Sequence, residues 1–154
     1  MLKKICFLMI AIIFLFPTLT TFLFFNTKSG EIVQDNNLSD SLCDSKSYYT
    51  SGGFRDYTDY CEYYFNTSSI QKYINDSECK IVTQEDIENI KSYFENFEEW
   101  LKWCDFKDKY TFDKDTQIKE GDYFYIYAPR GHDNYDLYYA DMEKCIVYFI
   151  HNNT

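Results

Sequence analysis

Between residues 84 and 104 the apolar positions recur at alternating steps of three and four: Ile87, Ile90, Phe94, Phe97, Leu101 and Cys104. That spacing lines one side of an α-helix and fits no strand. A helix with a single apolar side has to lie on a surface of matching character. Just upstream, Thr83-Gln84-Glu85-Asp86 resembles a capping box, with acids toward the positive end of the helix dipole. Glu88–Lys91, Glu98–Lys102 and Glu99–Lys102 add pairs at helical spacing, and Trp100 and Trp103 flank the stripe.

From residue 109 the period changes from 3.6 to 2. Tyr110 and Phe112 read as a short strand, and Gly121-Asp122 as a turn. Strands are predicted over Tyr123–Ala128, Tyr135–Ala140 and Cys145–Ile150. They are joined by a Pro129–Asn134 loop and an Asp141–Lys144 turn. Upstream, Gly52-Gly53 marks a turn. Phe54, Tyr57, Cys61 and Tyr64 then fall on one helical face, which favours a helix, although the tyrosines also suit a strand. It breaks at Asn66-Thr67-Ser68-Ser69, and Ile70–Ile74 reads as another helical turn. The expected fold class is α+β: an N-terminal transmembrane helix, then one long amphipathic helix packed on a three-stranded antiparallel meander, with an additional shorter helix.

The membrane segment rests on residues 1–28. Lys3 and Lys4 precede an uncharged run from Ile5 to Thr27, and Lys28 follows it. As a helix, the 21 residues from Ile5 to Phe25 reach about 32 Å, enough for the roughly 30 Å hydrocarbon core of a bilayer. The alternative is a signal peptide cut near Thr18-Leu19-Thr20, giving a secreted chain. That site matches A-x-A poorly and leaves Phe22-Leu23-Phe24-Phe25 at a greasy new terminus. An uncleaved anchor accounts for those residues better. The positive-inside rule puts the N-terminus in the cytoplasm and the rest outside. The expected organisation is an anchor at 1–28, a polar stalk at 29–47 and an extracytoplasmic α+β domain at 48–154.

Residues 29–154 hold all 25 acidic residues and 12 of the 15 basic ones, a net of −13. Such a balance disfavours nucleic acid and anionic lipid as partners and favours solubility or a basic partner, a solvated acidic surface being the plainer reading. Five cysteines follow the anchor: Cys43, Cys61, Cys79, Cys104 and Cys145. Outside the cytoplasm cysteines often pair, and five cannot all pair within one chain. Their spacings match no zinc pattern.

The candidate chemistry is thin. His132-Asp133 near Arg130 places a carboxylate beside an imidazole, but adjacent loop residues usually point apart and no nucleophile is tied to them. Asp105, Asp108, Asp113 and Asp115 form an acidic cluster without the glycine and spacing of a calcium loop. Cys104 on the apolar stripe reads as a small hydrophobe. Asn37, Asn66, Asn75 and Asn152 begin N-x-[ST] triplets that an Asn- and Ser-rich chain produces by chance. No catalytic residue, metal site or cofactor is assigned. All 16 tyrosines follow the anchor. Tyr123, Tyr125 and Tyr127 share one face of a predicted strand, and Phe124 and Ile126 share the other. The Phe124 face is expected to pack on the long helix, leaving a half-exposed tyrosine face for a protein or a glycan. Ordinary cross-strand tyrosine pairing is the plainer reading of the same residues.

The strings Gly53-Phe54-Arg55-Asp56-Tyr57-Thr58-Asp59-Tyr60, Glu85-Asp86-Ile87 with Phe94-Glu95-Asn96-Phe97, Gly121-Asp122-Tyr123-Phe124, and Asn134-Tyr135-Asp136-Leu137-Tyr138-Tyr139 running on to Tyr148-Phe149-Ile150-His151-Asn152-Asn153 resemble a family of small membrane-anchored or secreted proteins of gut Firmicutes. The likeness spans most of residues 52–154 and implies no activity. The expected function is a membrane-tethered extracytoplasmic binding domain. The alternatives are an immunity-type protein neutralising a basic toxin, and an envelope hydrolase using His132.

Overall fold

The computed structural model describes residues 39–52 and 56–154. Its frame is one antiparallel sheet of six strands: β1 (Ser45–Gly52), β2 (Tyr57–Tyr64), β3 (Lys80–Ile81), β4 (Tyr123–Tyr127), β5 (Asn134–Asp141) and β6 (Ile146–Asn153). Their order across the sheet is β1-β2-β6-β5-β4-β3. The helices are α1 (Thr67–Asp76), α2 (Ile87–Leu101) and the single-turn α3 (Lys114–Gln117), with 3-10 turns at Lys107–Lys109 and Gly131–Asp133.

The expected three-stranded sheet is therefore corrected to six strands. The meander β4-β5-β6 is one half of it, and β1 and β2 extend it beyond β6. Residues 57–64, read as a helix from the spacing of Tyr57, Cys61 and Tyr64, are a strand. The reason is burial on both faces: Tyr60 and Glu62 are buried on one side, Cys61 and Tyr63 on the other. A strand sandwiched this way loses the alternation that would reveal it. Ser45, Lys46 and Ser47, assigned to the stalk, open β1, whose polar sequence suits an edge strand. Gly52 closes the β1–β2 hairpin at φ +119°, where a Cβ would sit 2.3 Å from the Asp56 carbonyl oxygen. Tyr110 is extended, and neither it nor Phe112 joins the sheet. Phe112 instead inserts its ring against Phe94 (centroids 4.2 Å apart) and Tyr148 (4.6 Å). No helix among the described residues is long and apolar enough to cross a membrane, so the expected transmembrane helix is absent from the described fold. The segment over 5–25 lies outside the described residues.

α2 begins at Ile87 rather than in the first turn after Thr83. Asp86 reaches back instead, its carboxylate accepting from the Thr83 backbone N–H (2.9 Å) and hydroxyl (2.6 Å). The stripe lies as its period requires: Ile90, Phe94, Phe97 and Leu101 are all buried. They form a core with Tyr60, Phe124, Tyr135, Leu137, Tyr139, Tyr148 and Ile150, the residues that alternation and register put on one face of the sheet. Within it, Glu62 is a buried carboxylate that accepts from the hydroxyls of Tyr60 (2.5 Å), Tyr64 and Thr111 (3.4 Å). Three donors offset the cost of removing that charge from water.

The opposite face presents Cys61, Tyr63, Val147, Phe149, Tyr138 and Ala140, all buried. α1 serves this side. Asn66 caps it, its side-chain oxygen accepting from Ser68 and Ser69 N–H groups. Buried Tyr73 of α1 packs on Phe65 (5.5 Å) and neighbours Tyr63.

Candidate functional site

Antiparallel register stacks the side chains of this second face into rows that run across the strands. One row holds Tyr63, Val147, Ala140 and Tyr123, and the next holds Cys61, Phe149, Tyr138 and Tyr125. A third row holds Asp59, His151, Asp136 and Tyr127. The first two rows are apolar and aromatic, and the third is polar. The three tyrosines singled out from the sequence are the β4 ends of these rows.

Phe124 is buried in the α2 core and Ile126 packs against it. Across the strand, Tyr123 and Tyr125 are half-buried, while Tyr127 is 50 % exposed. Tyr125 leans on Tyr138 (centroids 6.2 Å), which packs on Phe149 (4.6 Å). Tyr125 thus belongs partly to the cross-strand packing, and Tyr127 faces water. A shallow cleft of about 360 Å³ beside β4 is lined by Lys80, Asp86, Asn89, Phe124, Tyr125 and Ile126.

The polar row was not found from the sequence. His151 is only 5 % exposed, and its Nδ1 lies 2.5 Å from the Asp136 carboxylate on β5. A carboxylate can only accept, so Nδ1 carries the proton in this pair. Asp59 opposes His151 from β2. Among the described residues neither His151 Nε2 nor Asp59 Oδ1 has a hydrogen-bond partner, and both atoms are buried. Tyr57 stacks on the imidazole at 4.9 Å. Tyr48 of β1 lies near Asp59, and burial followed by that carboxylate's charge pushes its phenol up to about 12.

The other histidine stands elsewhere. His132 is exposed in the 3-10 turn Gly131–Asp133, with its ring stacked on Tyr93 at 4.3 Å. Its Nε2 meets Ser92 Oγ at 3.1 Å, a contact across 40 residues that spacing does not reveal. Ser92 already donates to the Asn89 carbonyl at 2.7 Å, and neither Ser92 nor His132 lines the cleft. This arrangement fits a surface contact rather than an activated nucleophile.

The acidic cluster is dispersed into local roles. Asp113 caps α3, accepting from Asp115 N–H (3.1 Å) and the Thr116 hydroxyl (2.9 Å), and Asp115 pairs with Lys91 at 3.5 Å. Among the described residues no group of three or more His, Cys, Asp or Glu side chains is arranged to hold a metal ion. Among the described residues Cys43, Cys61, Cys79, Cys104 and Cys145 are free thiols. Cys104 is buried against the Trp100 carbonyl, and burial pushes its thiol up. Asn152 is fully buried.

No protein-family model, curated protein or solved structure matches this chain.

Proposed function

We propose that this chain is a non-catalytic binding domain, held at the outer face of a membrane by residues 5–25, that takes an extracytoplasmic protein or envelope component at the Tyr123, Tyr125 and Tyr127 end of its second sheet face. The observation that carries the reading is the third row. Exposed Tyr127 lies opposite Asp136 at one end of the row, which continues to His151 and then Asp59, whose buried hydrogen-bonding capacity is not used up. Rigid aromatic area beside polar groups is the make-up of protein-binding surfaces. The net charge of −13 over residues 29–154 favours a basic partner. A basic toxin is one such partner, which keeps the immunity-type reading as the second choice.

The test is affinity purification of the full chain from membranes after mild crosslinking, with Tyr127→Ala in parallel. Wild type is expected to retain one dominant extracytoplasmic partner that the variant loses. Equal recovery by both would remove Tyr127 from the site. A toxin encoded next to the gene would make immunity the first reading.

A further inference from the structure

The chain has two tryptophans, and both stand on the surface at the C-terminal end of α2. Trp103 is 83 % exposed and Trp100 40 %. Between and beyond them Leu101 and Cys104 turn inward and are buried, so the two indoles are on the side away from the core. The helix end is closed locally: Trp103 N–H donates to the Trp100 carbonyl at 2.9 Å. Folding therefore leaves Trp103 largely in water and Trp100 partly so, where tryptophan side chains are ordinarily mostly buried.

Their neighbours are exposed lysines. Lys102 follows the helix and pairs with Glu99 at 2.7 Å, and Lys107 and Lys109 lie in the 3-10 turn just after. Residues 100–109 carry three lysines against two aspartates, in a region whose net charge is otherwise strongly negative. Indole rings with an apolar body and one N–H donor, set among lysines, are the side chains that concentrate at the headgroup level of bilayers. Lysine stems lie along apolar surface while their ammonium groups reach for phosphate.

We infer that Trp100 and Trp103, with Lys102, Lys107 and Lys109, form a lipid-headgroup contact by which the domain rests on the membrane that tethers it. The inference rests on the anchoring reading above. Only 13 residues, 26–38, separate the apolar run from the described domain, and fully extended they span at most about 45 Å. A surface patch held that close meets lipid at a high effective concentration, so weak individual contacts suffice.

Because these are the only tryptophans, their fluorescence reports on this patch alone. The full chain is reconstituted into phosphatidylcholine vesicles, with and without acyl chains brominated near the headgroup. Flotation measures anchoring, and emission measures the patch. The chain is expected to float. Its tryptophan emission should be blue-shifted, quenched by bromolipid and shielded from aqueous iodide, and Trp103→Ser should lose most of the bromolipid quenching. Floating vesicles whose tryptophans are quenched by iodide and untouched by bromolipid would overturn the headgroup contact while leaving anchoring intact. A chain that stays at the bottom of the gradient would overturn both. If tryptophan emission is shielded only once a co-purified protein is added, the patch is a protein interface and the lipid assignment is wrong.

Discussion

Both faces of the sheet bury aromatic side chains, the α2 face more of them, and Glu62 on one face is matched differently from His151 on the other. On the α2 face Glu62 is deeply placed, yet three hydroxyls from Tyr60, Tyr64 and Thr111 meet its carboxylate. On the other face His151 is as deeply placed, and only one of its ring nitrogens is met, by Asp136. A buried polar group matched by its own chain is a structural device, and its removal costs stability. A buried group with capacity left over, at the end of the face where the tyrosines reach water, is where a second molecule has something to satisfy. One face is closed by α2. The other is served by α1 near Tyr63 and grades toward solvent at Tyr127.

The difference between the faces can be broken by substitution. The largest effect belongs to the α2 face: Phe94→Ala empties a site between Phe112 and Tyr139 and should cost about 3–5 kcal/mol, read as a lower urea midpoint at unchanged slope. Next, Glu62→Ala leaves the fully buried Tyr60 hydroxyl without its acceptor and should cost about 1–3 kcal/mol. Asp59→Ala, its counterpart across the sheet, should cost less than Glu62→Ala in the same urea experiment and instead weaken partner capture. Equal losses would erase the distinction between the faces. Asn66→Ala removes the cap of α1 on the second face and should cost about 1 kcal/mol.

The smallest effect concerns acid. The Thr116 hydroxyl, and then the Asp115 N–H, hold the Asp113 carboxyl below its ordinary value of 3.8. A group lowered by folding contributes above its unfolded value and loses that contribution as pH falls through its folded one. Asp113→Asn keeps a cap and should slightly flatten the loss of thermal stability below pH 4, with no change at pH 7.

The sequence made some of this legible and hid the rest for physical reasons. α2 was readable because it packs on one side only, so its apolar residues keep the helical period. The strands β4 to β6 were readable because tyrosine and β-branched residues alternate between turn signals. β2 was misread because both its faces are buried, and β1 because an edge strand is free to be polar. The His151–Asp136 pair depended on where the β5–β6 turn falls, since moving that turn by one residue shifts the pairing by two. A turn over Asp141–Lys144 would set Asp136 opposite Phe149, and the actual turn, with Cys145 at φ 56°, sets it opposite His151. The Ser92–His132 contact joins α2 to the β4–β5 connection and leaves no trace in local spacing. Tyr123, Tyr125 and Tyr127 were correctly grouped on one face, but the carboxylates and histidine beside them come from strands whose pairing only the register defines.

The central claim is that partners are met on the face away from α2. A photo-crosslinking amino acid placed at position 127 of the full chain, and separately at exposed Glu95 on α2, tests it in one experiment on intact membranes. The account predicts a discrete crosslinked adduct from position 127 and none from position 95. An adduct from position 95 alone, or equal adducts from both, would contradict it.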